Sequence, residues 1–305
     1  MLRRLLIYTL VIVFTLPLMV SAQSTAEMTV LDKTTVLEKI LYGTEQTSSI
    51  VERIGKMERD LHGAEFQGAL VDRADTLYGY VKDSSAGTPS FITKLSAVEW
   101  TLTHAVTTQP AKARLDNLER VMLGNNGSGS FDDRLNKLMK LAFPDGQIEV
   151  AGVTVDKDTL VKIRMTTPLT TKSNRVGDAV AFEVAEDVYV GDILVLGRGA
   201  QGIGKVSKVE PARNFGRDAK LEIAFNNLEA MDGTSVETFL GEKAKEETKS
   251  LAKAAGATVA GLVILGPVGV IGGAFVQGQD ITIPAGTELY IQTKMDTEVY
   301  GVRTR

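Results

Sequence analysis

An uncharged, glycine-rich run near the C-terminus constrains this chain more than any other feature of its sequence. The run, AAGATVAGLVILGPVGVIGGAFVQGQ, extends from Ala254 to Gln279 and contains seven glycines and no charged residue. Exposing so much apolar surface to water is unfavourable. The run must therefore be covered by the protein's own core, by a partner subunit or by a bilayer.

The length of the run suits a membrane span, but its proline does not suit one straight helix. As a single helix, residues 254–276 would be roughly 35 Å long, enough for a hydrocarbon core of about 30 Å. Pro267 disfavours an unbroken helix. We therefore predict an apolar helical hairpin that turns at Gly266 and Pro267.

Small residues are the feature of this hairpin that favours association. They let backbones approach closely, which matters most in lipid. In a membrane, neighbouring subunits would have to pair the hydrogen-bonding groups of the hairpin's backbone. The alternative is a soluble hairpin that covers one end of a β-barrel formed by the same chain. The predicted residues of membrane or self-association are Gly256, Gly261, Gly266, Pro267, Gly269, Gly272 and Gly273.

Residues 1–22 have the pattern of a secretory signal peptide. Arg3 and Arg4 precede an apolar stretch over 5–20, and small residues at 20–22 precede polar Gln23. An uncleaved membrane anchor is the alternative. The pattern predicts export to the periplasm or outer membrane of a bacterial envelope.

Composition excludes several classes of function. The net charge of -4 argues against nucleic-acid binding. The chain has no cysteine, which excludes disulfides, thiolate catalysis and thiolate-ligated metals. His62 and His104 are its two histidines, and His62 is expected to face water at a helix end. We predict no metal site and no cofactor.

Residues 27–143 are predicted to form a domain of antiparallel helical repeats. Apolar residues recur at helical spacing in six phrases, several of which end in glycine. A basic residue often stands directly before the apolar stripe. The phrases cover 35–43, 50–63, 70–81, 91–104, 112–124 and 131–143, and the basic residues are Arg53, Arg73, Lys94, Arg114 and Arg134.

A second domain is predicted over residues 150–303. Apolar and polar residues alternate there in short segments with glycine-containing turns, which indicates strands. A closed β-barrel or a sandwich would avoid exposed edges. An insertion over 242–279 begins with a charged, helix-favouring stretch and continues as the apolar run. The fold class is thus α+β, in two domains, with an apolar helical hairpin inserted in an antiparallel barrel or sandwich.

Two motifs could suggest chemistry, but their context does not support it. Gly197, Gly199 and Gly202 spell GxGxxG, yet a strand-like segment follows instead of the helix that a dinucleotide site requires. We interpret this motif as a hairpin turn. The acidic residues Glu183, Glu186, Asp187, Asp156 and Asp158 could form a carboxylate pair for glycoside chemistry, but strand-end acids are usually solubilising. We predict no catalytic residue.

Three segments carry a resemblance to known proteins. MTTPLTTKSNRVGDAVAFEVAEDVYVGDILVLGRGAQGIGKVSKV, KLEIAFNNLEAMDGTSVETF and ITIPAGTELYI flank the glycine-rich run. They are similar to many uncharacterised exported bacterial proteins. More distantly, the C-terminal half resembles the β-barrel of TrbI-like scaffold subunits of type IV secretion and conjugation systems. Those subunits also have an inner-membrane anchor and a proline-rich arm, where a signal peptide and helical repeats are predicted for this chain.

The resemblance implies a ring of subunits in which an apolar helical pair, inserted in the barrel, lines an outer-membrane pore. We therefore predict a non-enzymatic structural or assembly protein of the cell envelope. It would associate with membrane or with itself through the apolar run. The alternative is a soluble periplasmic module that binds a protein or a glycan.

We expect the exported chain to begin at Gln23, because signal peptidase cleaves after small residues such as Ala22. Intact-mass measurement of the protein recovered from an envelope fraction tests this. A mass that still includes residues 1–22 would indicate the uncleaved anchor.

Overall fold

The computed structural model describes residues 28–212, 219–254, 263–265, 270–272 and 280–304. Within these residues the predicted α+β architecture is confirmed. Six helices precede a β-domain, and a seventh helix follows the ninth strand.

The six N-terminal helices form a repeat with a period of about 20 residues. They start at residues 30, 50, 70, 91, 111 and 131, so the one irregular step, of 21 residues, lies between the third and the fourth. The helices are α1 (Val30–Tyr42), α2 (Ile50–His62), α3 (Leu70–Lys82), α4 (Phe91–Thr103), α5 (Ala111–Leu123) and α6 (Phe131–Ala142).

Capping residues explain where the helices begin and end. The Ser49 hydroxyl accepts the Glu52 N–H, and the Glu52 carboxylate accepts the Ser49 N–H at 3.2 Å, which forms a capping box. At the other end of α2, Gly63 has a φ of +86°, the left-handed conformation that glycine adopts without strain. Side chains of Thr29, Ser90 and Ser130 cap α1, α4 and α6.

A buried ion pair recurs with the repeat and joins each glutamate-bearing helix to the helix that follows. Arg73 on α3 donates from Nε to Oε1 of Glu58 on α2 at 2.8 Å, and from Nη2 to Oε2 at 2.5 Å. The Phe66 N–H, in the intervening connector, donates to the same carboxylate at 3.1 Å. The four pairs are Glu38–Arg53, Glu58–Arg73, Glu99–Arg114 and Glu119–Arg134, with connector N–H donors from Gln46, Phe66, Thr107 and Gly127.

Two of these pairs favour the ionised form of their buried carboxylates, those of Glu58 and Glu119. Burial opposes the charged form of Glu58, but the hydrogen bonds from Arg73 and from the Phe66 N–H outweigh it, so the pKa of Glu58 is lowered. The pKa of Glu119 is lowered in the same way by Arg134 and the Gly127 N–H, against burial.

The helices close into a bundle because contacts also form between helices distant in the repeat. α1 packs against α3 and α5, and α6 packs against α2 and α4. A shared apolar core fills the interior and includes Leu37, Leu41, Ile54, Met57, Leu61, Leu77, Phe91, Leu95, Leu115, Leu118, Leu135 and Leu138.

Six strands of the β-domain form a closed antiparallel barrel. Their order is β8-β7-β4-β2-β13-β9, and β9 also pairs with β8, which closes the sheet. The strands are β2 (Leu160–Met165), β4 (Ala179–Val184), β7 (Gln201–Glu210), β8 (Lys220–Glu229), β9 (Ser235–Phe239) and β13 (Glu288–Thr293). Closure pairs the backbone N–H and C=O groups that an open sheet would leave unpaired at its edges.

A second sheet of four strands packs beside the barrel, which the sequence interpretation did not separate from it. Its order is β1-β14-β6-β5, formed by β1 (Val150–Val155), β14 (Thr297–Arg303), β6 (Ile193–Leu196) and β5 (Val188–Val190). Two short strands, β3 (Leu169–Thr170) and β12 (Thr282–Ile283), pair with each other. The alternating pattern predicts which face of a strand is buried, but it does not select the partner strand.

The bundle and the β-domain are joined by specific contacts. Lys82, the last residue of α3, donates from Nζ to the Gly233 carbonyl at 2.8 Å. Trp100 on α4 packs against the β-domain core and donates from Nε1 to Asp187 Oδ2 at 3.0 Å.

The described part of the insertion departs from the predicted helical hairpin. Its charged stretch is helical, as expected: α7 spans Glu242–Ala254. The apolar stretches are strands, β10 (Val263–Leu265) and β11 (Val270–Gly272), which pair antiparallel. The predicted helices were therefore wrong here. Valine and isoleucine favour extended backbone, and the intervening Gly266-Pro267 disfavours a helix.

Replacing Arg53 by methionine tests the repeated ion pair. The partner carboxylate of Glu38 is fully buried, and an uncompensated buried charge costs about 3–5 kcal/mol of unfolding free energy. Arg59→Met is the matched control, because Arg59 pairs with Glu65 at the exposed surface and should cost less than about 1 kcal/mol. Urea unfolding measures both, and equal losses would contradict the assigned role of the pair.

Candidate functional site

The predicted association residues fall mostly outside the described residues. Gly256, Gly261, Gly266, Pro267, Gly269 and Gly273 lie there, and Gly272 is the last residue of β11. The structure therefore places the two flanks of the apolar run and its strands β10 and β11.

The upstream flank is held on the barrel by α7. Gln292 on β13 accepts the Ala244 N–H through Oε1 at 3.1 Å, and Thr248 Oγ1 accepts the Tyr290 N–H at 2.9 Å. Ala244 and Thr248 are both buried. Since they lie four residues apart, one face of α7 covers β13.

The downstream flank returns to the same domain. Thr171 Oγ1 donates to Asp280 Oδ1 at 2.9 Å, and the Thr171 N–H donates to the Ile281 carbonyl at 3.0 Å. Between the flanks, Val270 on β11 pairs with Glu222 on β8. Both ends of the apolar run are thus attached to the β-domain, and its described strands extend the barrel sheet through the pairing of β11 with β8.

The GxGxxG segment contacts the helical bundle, and it does not form the predicted hairpin. β6 and β7, on either side of it, belong to different sheets. The Arg198 carbonyl accepts the Val106 N–H at 2.7 Å, and Gly199 has a φ of +86°. A Cβ at Gly199 would lie 2.6 Å from the Val106 carbonyl oxygen. The glycine is needed because two backbones approach closely, one from each half of the molecule.

The acidic residues of the β-domain serve separate structural contacts. Glu183 pairs with Arg164 at 3.0 Å, and Glu186 pairs with Lys162 at 2.7 Å. Asp158 Oδ1 accepts from Gln292 Nε2 at 3.1 Å. Asp187 accepts hydrogen bonds from the Trp100 indole N–H and from the Arg198 backbone N–H.

His62 does not simply face water, contrary to the prediction. Its Nδ1 lies 2.6 Å from Asp132 Oδ2, and its ring contacts those of Phe66 and Tyr80. The Tyr80 hydroxyl also donates to Asp132. Burial first, and then this hydrogen bond, raise the pKa of Tyr80. The pair was missed because 70 residues separate its members, beyond the reach of any local pattern.

Neither a membrane-spanning helix nor a metal-binding cluster occurs among the described residues. Among the described helices, none has the length and apolarity that crossing a membrane requires. Over the same residues, no cluster of three or more histidine or acidic side chains is arranged to hold a metal ion.

Comparison with known proteins yields similar solved structures but no family. No family model matches the chain, and no curated protein matches it. ComB10 of the Com type IV secretion system of Helicobacter pylori is similar over 47% of this chain and 88% of its own, with 15% identity and a TM-score of 0.27. That score is too low to establish a shared fold, so the TrbI-like resemblance stays a prediction.

Replacing Gly199 by alanine should weaken the junction between the two halves. The change strains a positive φ, and the new Cβ also meets the Val106 carbonyl. Gly177→Ala is the matched control, since its φ is +96° but nothing lies within 4 Å of the added atom. We expect Gly199→Ala to cost about 1–3 kcal/mol more than the control.

Urea unfolding followed by the fluorescence of Trp100, the single tryptophan, measures this difference. Similar losses for the two variants would show that the close approach at Gly199 does not contribute to stability.

Proposed function

We propose that this protein is a non-enzymatic structural or assembly protein of a bacterial cell envelope. It associates with copies of itself, or with membrane, through the apolar run between α7 and Asp280. The observation that carries the proposal is the attachment of both flanks of this run to the β-domain.

The attachment supports association because it restricts where the run can go. A free apolar tail could fold back anywhere on the protein. Here the run starts from a helix packed on β13 and ends beside Thr171, so both of its ends are anchored on the β-domain. Its sequence, with seven glycines and no charge from Ala254 to Gln279, favours close backbone contact over hydration.

The described strands of the apolar run have an edge at which two copies of the protein can pair. Within the described residues, β10 is the last strand of its sheet and pairs with β11 alone. An edge strand of this kind carries backbone N–H and C=O groups that can pair with a strand of a second copy. The signal peptide predicted from the sequence of residues 1–22 would direct the chain to the envelope.

Replacing both Gly269 and Gly273 by leucine should loosen the association, because large side chains prevent close backbone approach. The control is Ala179→Leu with Ala181→Leu, which adds comparable bulk at exposed positions of β4. We expect the glycine double variant to form smaller species than the parent in light scattering after size-exclusion chromatography. The control should behave as the parent does.

Flotation with liposomes distinguishes the two modes of association. A parent protein that floats, and a glycine variant that does not, indicates membrane contact. If neither the oligomer mass nor the flotation differs between the glycine variant and the control, the proposed role of the run is wrong.

A further inference from the structure

A polar groove lies between the helical bundle and the four-stranded sheet. We call it the junction groove; it has a volume of about 460 Å³, within the range of small-ligand sites, about 300–1,000 Å³. Its walls are the α3–α4 connection, the turn between β8 and β9, and the paired strands β1 and β14. The polar and aromatic side chains that line it include Lys82, Asp83, Ser84, Asp232, Glu298 and Tyr300.

The walls of the groove are fixed by partly buried hydrogen bonds. Asp232 is 5% exposed, and its carboxylate accepts the Tyr300 N–H at 2.7 Å and the Thr234 N–H at 2.9 Å. Ser84 Oγ accepts the Ser90 N–H at 3.1 Å. A ligand entering such a preformed groove would lose little free energy to ordering the protein.

An aromatic ring lies along one wall because the neighbouring strand has a glycine at the facing position. Tyr300 on β14 pairs with Gly152 on β1. A Cβ at Gly152 would lie 3.3 Å from Cε1 and 3.5 Å from Cζ of Tyr300. The absence of a side chain at Gly152 therefore lets the ring lie across β1, and both residues line the groove.

The charges of the groove select against anions. Three carboxylates and one ammonium group line it, and the ammonium of Lys82 already donates to the Gly233 carbonyl. Phosphate or sulfate groups would be repelled. Asp83 and Glu298 are exposed, and ionised carboxylates only accept hydrogen bonds, so the groove suits a ligand rich in donors.

We propose that the junction groove binds an uncharged glycan. A pyranose ring combines a C–H face, which the negative face of the Tyr300 ring attracts, with hydroxyls that donate to Asp83 and Glu298. This inference is independent of the proposed association through the apolar run. It gives the chain a ligand site in the junction that ties the bundle to the β-domain.

Isothermal titration of the chain from Gln23 onwards tests the site, with three neutral probes: tetra-N-acetylchitotetraose, cellotetraose and maltotetraose. We expect at least one to bind. Tyr300→Ala should weaken that binding at least about ten-fold, which corresponds to about 1.4 kcal/mol. Tyr300→Phe keeps the ring and should stay within about three-fold of the parent, since the stacking face is retained.

Two further variants separate binding from folding. Tyr189→Ala is the matched control, because Tyr189 is an exposed tyrosine on β5 of the same sheet and should leave binding unchanged. Gly152→Val retains Tyr300 but displaces its ring, and should weaken binding without abolishing the thermal unfolding transition.

Three results would overturn the inference. One is no binding of any probe at about 5 mM, a concentration that detects even millimolar affinity. A second is binding that Tyr300→Ala and Gly152→Val leave unchanged, which would place it elsewhere. The third is Tyr300-dependent binding of octalysine without binding of any sugar, which would make the groove a site for basic peptides.

Discussion

The helical half of this protein depends on one repeated interaction, a buried glutamate held by an arginine of the following helix and by a backbone N–H of the connector between them. Glu58, Arg73 and Phe66 show the full arrangement. Because a buried carboxylate without partners is costly, each unit fixes two helices and the loop at once. The third repeat has Tyr78 and Lys94 at the corresponding positions, and it leads into the longer α3–α4 connection that meets the β-domain.

The β-domain is organised by closure and by close backbone approach. β9 reaches both β13 and β8, so the six barrel strands leave no gap in their ring of pairings. The second sheet and the GxGxxG segment connect the barrel to the bundle. The backbone at Gly199 packs closely against Val106, and Asp187 accepts a hydrogen bond from the Trp100 indole. A segment that resembles a nucleotide-binding motif thus has a structural use, because glycine permits both a positive φ and contact between main chains.

Part of this arrangement could be predicted because its causes are local. Helical spacing and terminal glycines predicted the helices, and alternation predicted most of the strands. The apolar stretches at Val263–Leu265 and Val270–Gly272 were misassigned as helices, since a short apolar run has no period that separates the two states. β1 and β14 were not distinguished as a separate sheet, because pairing partners are not encoded in alternation.

The sequence by itself determined the six N-terminal helices, most of the strands and the uncharged run that has to be covered, because each depends on residues close together in the chain. Only the tertiary structure decided which groups meet. Glu38 and Arg53 are 15 residues apart, His62 and Asp132 are 70 apart, and Thr171 and Asp280 are 109 apart. Gly152 and Tyr300 face each other only because β1 and β14 pair in one register. Such contacts arise from burial and chain closure, which act on the whole fold and leave no periodic trace in the sequence.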